Sequence, residues 1–257
     1  TINEESLNET RKYQNLKRDM VDRIHTLIKA GIEPYGYMIV GFDHDNPSIF
    51  EVMPKFLAEA RISAAIISML HAIPTTPLYD RLKQEERLND DEASDKYGTN
   101  VIPVGMSREE LRDGFVKVMK ECYSADAYFQ RLDAQFVDEN FKFTLHHLPY
   151  WTSHRWAWAK RSFLNYCRFL VVASRLSLLV ADKALRSRYR QQLSRVLSAR
   201  WSEPHILFIY ALRIAMHYHY AALTRALAQV ETGSLPNAGR SFSRASRRIE
   251  SESKAAA

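Results

Sequence analysis

The chain has 257 residues, an ordinary apolar share of 46 % and a net charge of +6, enough for one or two packed domains. Two distant cysteines, Cys122 and Cys167, exclude a disulfide-stapled scaffold and point to a reducing compartment, and the 8 glycines form no glycine-rich, phosphate-cradling loop. The charge is split: from residue 151 onward 18 Lys and Arg face 5 Asp and Glu, a balance of +13 against −7 for the first 150 residues, so two regions with different surfaces are expected.

The chain opens on Thr1 with no charged-then-apolar leader, which predicts a start cut from a longer protein. Residues 4–29 read as one helix, with Leu16, Met20, Val21, Ile24, Leu27 and Ile28 on one apolar stripe and Gly31 as a left-handed C-terminal cap. An apolar run from Pro34 to Val40 reads as a buried parallel strand. Asn46 then suits the N-cap of a helix with Pro47 at its first position and Ile49, Phe50, Met53, Phe56 and Leu57 facing inward. Residues 64–70 read as a second strand, and strand, helix, strand at this spacing is a right-handed βαβ unit. Two parallel strands cannot stand alone, because both faces and both edges need cover. Partner strands outside these 257 residues are therefore expected.

After Pro77 a short helix is predicted to about residue 86, then a charged, turn-rich, solvated loop over 87–100. Ser107 and Glu110 make a capping box for a helix with Leu111, Phe115, Val118 and Met119 on its apolar face, and a further helix is predicted from near Ala125. From about Trp156 the chain reads as all-helical. The first of these helices carries Arg161, Arg168 and Arg175 seven apart, as one narrow basic stripe on an otherwise apolar segment. Two more are predicted over residues 184–199 and 205–230, and residues 233–257 read as a disordered tail. No segment reads as a membrane span, since Arg168 and Arg175 interrupt one candidate and Arg213 the other, and a central Arg costs roughly 2.5–3.5 kcal/mol on insertion. An in-plane interfacial helix stays open beside a core-packing one.

In a parallel barrel, ligands sit at the carboxyl ends of the strands. Here those ends are Val40-Gly41-Phe42-Asp43-His44-Asp45 and His71-Ala72-Ile73-Pro74-Thr75-Thr76. Tyr37-Met38-Ile39-Val40-Gly41 resembles the fifth-strand motif of radical S-adenosylmethionine (SAM) enzymes, with Tyr37 in place of the first glycine and His44 where an acidic residue often sits. Pro74-Thr75-Thr76-Pro77-Leu78-Tyr79 resembles the turn after their sixth strand, with Thr75 in place of glycine. Ser6-Leu7-Asn8-Glu9-Thr10-Arg11-Lys12-Tyr13-Gln14-Asn15, Ile39 to Asp43 followed by Ile49-Phe50, and Glu121-Cys122-Tyr123-Ser124-Ala125-Asp126-Ala127-Tyr128 are similar to a cobalamin-binding subgroup that includes hopanoid methylases and bacteriochlorophyll side-chain methylases. The resemblance covers residues 4–135 well and the helical remainder loosely.

That resemblance implies an α/β fold: a partial parallel (β/α) barrel with about two core strands, followed by an all-helical C-terminal module. It implies SAM adenine held around Ile39, Val40, Gly41, Phe42, His71 and Pro74, a 4Fe-4S cluster and cobalamin in the parent enzyme, and methyl transfer to a small apolar substrate. The cluster requires three thiolates from a Cys-x-x-x-Cys-x-x-Cys loop. Two cysteines cannot supply it, so this chain alone is predicted not to cleave SAM reductively.

Asp43-His44-Asp45 reads as a loop that caps the next helix, with a metal or base role as the alternative. His146-His147 and His217-Tyr218-His219 point to different helix faces and chelate poorly, so no metal is expected. Trp151, Trp156, Trp158 and Trp201 lie among arginines, an arrangement open to stacking on nucleic acid and equally to aromatic anchoring at a membrane interface or on the protein's own surface; no nucleic-acid motif accompanies them and no such partner is expected. The expected organisation is residues 1–85 as barrel, 86–135 as helical extension and 136–232 as helical module. The expected partner is a missing N-terminal barrel half. The location is cytoplasmic, with peripheral contact to the inner membrane left open. The alternatives are a non-catalytic truncated paralogue or split-gene half that binds another chain, and a membrane-surface helical protein.

Overall fold

The computed structural model describes residues 1–15, 20–89, 98–139, 141–142 and 148–230. It is an α/β structure with a parallel two-stranded sheet and a helical C-terminal region. The expected helix over 4–29 is instead broken into α1 (Glu4–Glu9), a 3-10 turn (Tyr13–Asn15) and α2 (Met20–Lys29). The cause is local. Arg11 takes a left-handed φ of +56°, and the Lys12 amide closes back on the Leu7 carbonyl at 2.8 Å. Leu16, assigned to the apolar stripe, lies outside the described residues. Gly31 caps α2 as expected, with φ +79° and Ile32 N–H donating to Leu27 C=O.

Strand β1 (Tyr35–Val40) pairs with β2 (Ala64–Met69) in parallel, from Tyr35 opposite Ala64 to Val40 opposite Met69. Helix α3 (Ile49–Glu59) crosses between them and buries Ile49, Phe50, Met53 and Leu57. It starts two residues later than expected: the Asn46 carboxamide takes the Ser48 amide at 3.0 Å and so caps the turn in front of the helix. Helix α4 (Pro77–Gln84) starts on its Thr76 cap. Helix α5 (Arg108–Cys122) carries both halves of the Ser107–Glu110 capping box, and α6 (Ala125–Asp133) runs into a π-helical turn, Ala134–Asp138. Beyond it lie α7 (Leu148–Ser153), α8 (Arg155–Leu178), α9 (Lys183–Arg200) and α10 (Pro204–Val230).

One continuous core joins the two halves. It runs from Met38, Val40 and Ile67 of the sheet through Phe50 and Met53, then Leu111 and Phe115, to Tyr128, Phe136, Tyr189, Tyr210 and Ile214. Gly114 lets α5 lie flush on α3, for a Cβ there would stand 2.1 Å from the Phe50 ring. Helix α10 corrects a second expectation. Pro204–Leu227 is long and apolar enough by composition to cross a membrane, Arg213 notwithstanding. Here Ile206, Leu207, Tyr210, Ala211 and Ile214 are fully buried within the protein.

The sheet is open on one side. Leu70 N–H donates to Val40 C=O at 2.8 Å. Alternate residues of a parallel ladder turn to the same neighbour, so Gly36, Met38 and Val40 face β2 while Tyr35, Tyr37 and Ile39 turn their backbone groups away. Among the described residues nothing pairs with those three. One sheet face packs on α3; the other carries Tyr37, 65 % exposed, opposite Ile66, 45 % exposed. At the outer edge of β2 the Tyr123 hydroxyl donates to the Ala65 carbonyl.

Candidate functional site

The carboxyl ends of β1 and β2 come together as the sequence predicts, and the loops there are locked. Gly41 has φ +97°, and a Cβ on it would stand 2.9 Å from Leu111, so only glycine fits. Asp45, 1 % exposed, is the organising side chain. One carboxylate oxygen accepts from the amides of Gly41 (3.0 Å) and Phe42 (3.2 Å), and the other from the hydroxyl of Ser6 (3.1 Å). The Asn3 carboxamide donates to the His44 carbonyl and thereby ties α1 to the same loop. The Asp43-His44-Asp45 loop therefore does not cap α3 as expected: Asp45 turns back to hold the loop together, while Asn46 caps the turn into α3.

Around this lies a charged rim. Asp43 is bridged by Arg87 (2.5 Å) and Arg81 (3.1 Å), and Arg81 also reaches Glu9 at 2.8 Å. Burial pushes the Asp43 carboxyl up, but the Arg87 hydrogen bond and the charges of Arg87 and Arg81 outweigh it and hold it below its ordinary value. Among the described residues, no group of three His, Cys, Asp or Glu side chains is arranged to hold a metal.

The loop expected over 87–100 is only partly a solvated one. Residues 90–97 lie outside the described residues, but Thr99 and Asn100 are buried. The Asn100 carboxamide accepts from the Ala72 amide at 2.8 Å and donates to its carbonyl at 2.9 Å, imitating a strand neighbour beyond the end of β2. Thr99 donates to the Leu70 carbonyl. Phe42, Leu70, Ala72, Leu82 and Val101 form a small separate core beneath.

The six residues expected around adenine therefore divide. Val40, Gly41 and Phe42 are buried, with the Gly41 and Phe42 amides taken by Asp45. Ile39 is half-buried on the open face with its backbone turned to the free edge, and His71 and Pro74 are exposed. Ser68, opposite Ile39, and Ile73, 63 % exposed, extend that surface. Of the six, Ile39, His71 and Pro74 are thus the ones that leave surface at the strand ends. The three-thiolate cluster does not fit this chain: it has two thiols, Cys122 buried in α5 and Cys167 half-buried on α8. Burial pushes the Cys122 thiol up to about 11, the opposite of what a ligand thiolate needs.

Elsewhere two polar clusters are consumed internally. His217 is buried with both ring nitrogens used: Nε2 meets the Tyr123 carbonyl at 3.1 Å and Nδ1 the Tyr189 hydroxyl at 2.8 Å. A carbonyl only accepts, so Nε2–H donates and Nδ1 accepts from Tyr189. Burial lowers the His217 pKa to about 4 and favours this neutral ring. His146-His147 lie outside the described residues. The polar seam between α6 and α9 is closed on itself by Arg188–Asp126 (2.9 Å) and Arg195–Asp133 (3.5 Å). Local pattern gave no sign of the Asn100 plug, the His217 pair or the Ser6 arm of the Asp45 hub, because each joins segments far apart in the chain.

A βαβ unit with an open first edge, joined through one core to a helical bundle, defines the class: the end of a parallel barrel with a helical extension. Residues 76–232 match the family described as "Domain of unknown function (DUF4070)", and the chain belongs to that family. It is also similar to three methyl-transferring proteins. An uncharacterized methyltransferase of Synechocystis is 32 % identical over 51 % of this chain and 25 % of its own length. The bacteriochlorophyllide d C-12(1)-methyltransferase of Chlorobaculum tepidum is 27 % identical over 52 % of this chain and 30 % of its own. The hopanoid C-2 methylase of Rhodopseudomonas palustris is 29 % identical over 49 % and 23 % respectively. The matched stretch thus spans less than a third of each of these relatives. No solved structure matches.

Proposed function

We propose that this chain supplies the last two strands and the C-terminal helices of a SAM-dependent methyltransferase of the radical SAM type, acting on an apolar carbon of a small substrate. The observation that carries the reading is the unpaired outer edge of β1 beside the exposed Tyr37–Ile66 face. In a closed parallel sheet both would be covered. The names of the three relatives support the chemistry. SAM, when bound, supplies the methyl group and the radical precursor. The exposed strip from the Ile39 side chain toward His71 and Pro74 would take its adenine, while Asp45 fixes the loop through Gly41 and Phe42 and the Asn100 plug keeps water from the end of β2. The iron–sulfur ligands and cobalamin belong, in this reading, to the complementary part of the barrel.

The test supplies that part. The upstream barrel of the Synechocystis relative is co-expressed with this chain, and co-purification is measured. Association is expected, with Tyr37→Glu and Ile66→Glu abolishing it, and methyl transfer from labelled SAM is expected from the reconstituted pair. Failure of the two chains to associate overturns the barrel reading. Association without methyl transfer, under conditions where the intact relative is active, supports the non-catalytic alternative.

A further inference from the structure

Helix α8 presents an apolar stripe to solvent along almost its whole length. Trp156 is 91 % exposed, Phe163 67 %, Leu170 62 %, Val171 51 % and Leu178 64 %. From Trp156 to Leu178 that stripe is about 33 Å long at 1.5 Å per residue. Its opposite face is the packed one: Asn165, Phe169 and Leu176 are buried. An isolated exposed leucine needs no explanation, but a row of this length on one helix, broken only by Lys160 and Ser174, does.

The charge beside that row is of one sign. Between Glu139 and Asp182 the sequence contains no acidic residue. Helix α8 carries Arg155, Lys160, Arg161, Arg168 and Arg175, and among the described residues none of them makes an ion pair. Arg161, Arg168 and Arg175 recur every seven residues and so line one flank of the apolar stripe. The neighbouring helix is different. On α9, Arg188 and Arg195 pair with acids of α6 and the π-turn, Arg200 pairs with Glu203, and Arg190 donates to the Ser177 carbonyl. The arginines of α9 are tied by acids and carbonyls, whereas those of α8 have no acidic partner among the described residues, although Arg168 lies 5.7 Å from the Phe208 ring of α10 and Arg161 5.1 Å from the Trp151 ring.

We infer that α8 docks in the plane of an anionic lipid bilayer, its Trp156–Leu178 row sunk to the acyl boundary and its Arg flank among the headgroup phosphates. An apolar row bordered by cations is the pattern of an interfacial helix. Two alternatives fit less well. A second copy would bring five unpaired cations against five, a like-charge contact that disfavours association. The complement of the sheet would lie against β1, whereas α8 packs on α9 and α10. The inference does not depend on the methyl-transfer reading.

The test uses the 257-residue chain with vesicles of phosphatidylcholine alone and with one-third phosphatidylglycerol. Sedimentation with the anionic vesicles is expected, reversed by salt, with a blue shift of tryptophan emission that is lost in Trp156→Phe. Removing apolar anchors in Phe163→Ser/Leu170→Ser is expected to weaken partitioning more than about tenfold. Arg161→Gln and Arg175→Gln are each expected to weaken it about fivefold. These side chains are exposed, and unchanged circular dichroism separates loss of binding from loss of fold. The inference is overturned if the chain stays in solution with anionic vesicles, or if the variants bind as the parent does. Self-association that buries Trp156, or retention by polyglutamate without vesicle binding, overturns it in favour of a protein partner.

Discussion

Arg213 grips Glu33 with two parallel hydrogen bonds, 2.7 Å and 2.6 Å, across 180 residues of sequence. The pair is mostly buried, and the guanidinium also lies 5.0 Å from the centre of the Tyr35 ring. Burial alone would lower the Arg213 pKa, but Glu33 more than offsets it and keeps the cation charged. Glu33 stands just before β1 and Arg213 midway along α10, so this contact fixes the helical module to the sheet. Removing one partner of a buried pair costs about 3–5 kcal/mol, because the other charge is left unpaired. Glu33→Gln and Arg213→Met are each expected to fall in that range in urea denaturation. The double variant is expected to lose clearly less than their sum.

Thr75 occupies a backbone conformation that suits glycine. Its φ is +71°, inside the left-handed region where a β-branched side chain is strained. The residue occupies the one place where the Pro74–Tyr79 turn departs from the pattern it resembles, and the turn keeps the glycine geometry without the glycine. Thr76, next to it, caps α4 by accepting the Tyr79 amide. Thr75→Gly is expected to stabilise the protein by about 1 kcal/mol, and Thr75→Val to gain nothing. A shift in the urea midpoint at unchanged slope would show this.

The parts of the fold legible in the sequence are those written locally. The two short apolar runs gave β1 and β2, Gly31 gave its cap, and Ser107 with Glu110 gave the capping box. Each signal sits within a few residues of its effect. The break after Glu9 was not legible, because the left-handed residue there is Arg11 and neither glycine nor asparagine marks it. Nor was the cover of the strand ends by Thr99 and Asn100, since charged neighbours made that stretch read as solvated. Arg213 was read only as a charge interrupting an apolar helix; its partner lies in another element, and no period connects the two. The candidate site was legible as the strand ends and their turns, but not in which backbone groups stay free, for that depends on the Asp45 carboxylate folding back on the Gly41 and Phe42 amides while Ser6, 39 residues away, holds its other oxygen.

Gly114 sits inside α5, where a glycine costs about 1 kcal/mol relative to alanine. Its use is the contact with Phe50, whose ring carbons lie 2.1–2.5 Å from where a Cβ would be. Overpacking of this kind costs roughly 1–3 kcal/mol, more than the gain in helix propensity. Gly114→Ala is therefore expected to destabilise. Phe50→Leu makes room at the same point, so it should cost less in the Gly114→Ala background than alone. Denaturation of the four proteins of that cycle measures the coupling, and additive effects would refute the contact.

His217 makes stability depend on pH in a defined window. Burial lowers its folded pKa to about 4, from an ordinary value of 6.5. The unfolded chain therefore takes up the proton first as pH falls. The neutral ring contributes fully above about pH 6.5, and its contribution declines down to about pH 4, where the folded state also binds the proton. A shift of this size corresponds to roughly 3 kcal/mol. Protonation would also force Nδ1 to donate where it now accepts from Tyr189, and would set a cation near Arg131 and Arg225. His217→Gln removes the titration. Urea denaturation between pH 7 and pH 4 is expected to show a steeper loss of stability for the parent than for the variant, with the two curves converging at the acid end; parallel curves would mean that His217 titrates alike in the folded and unfolded chain.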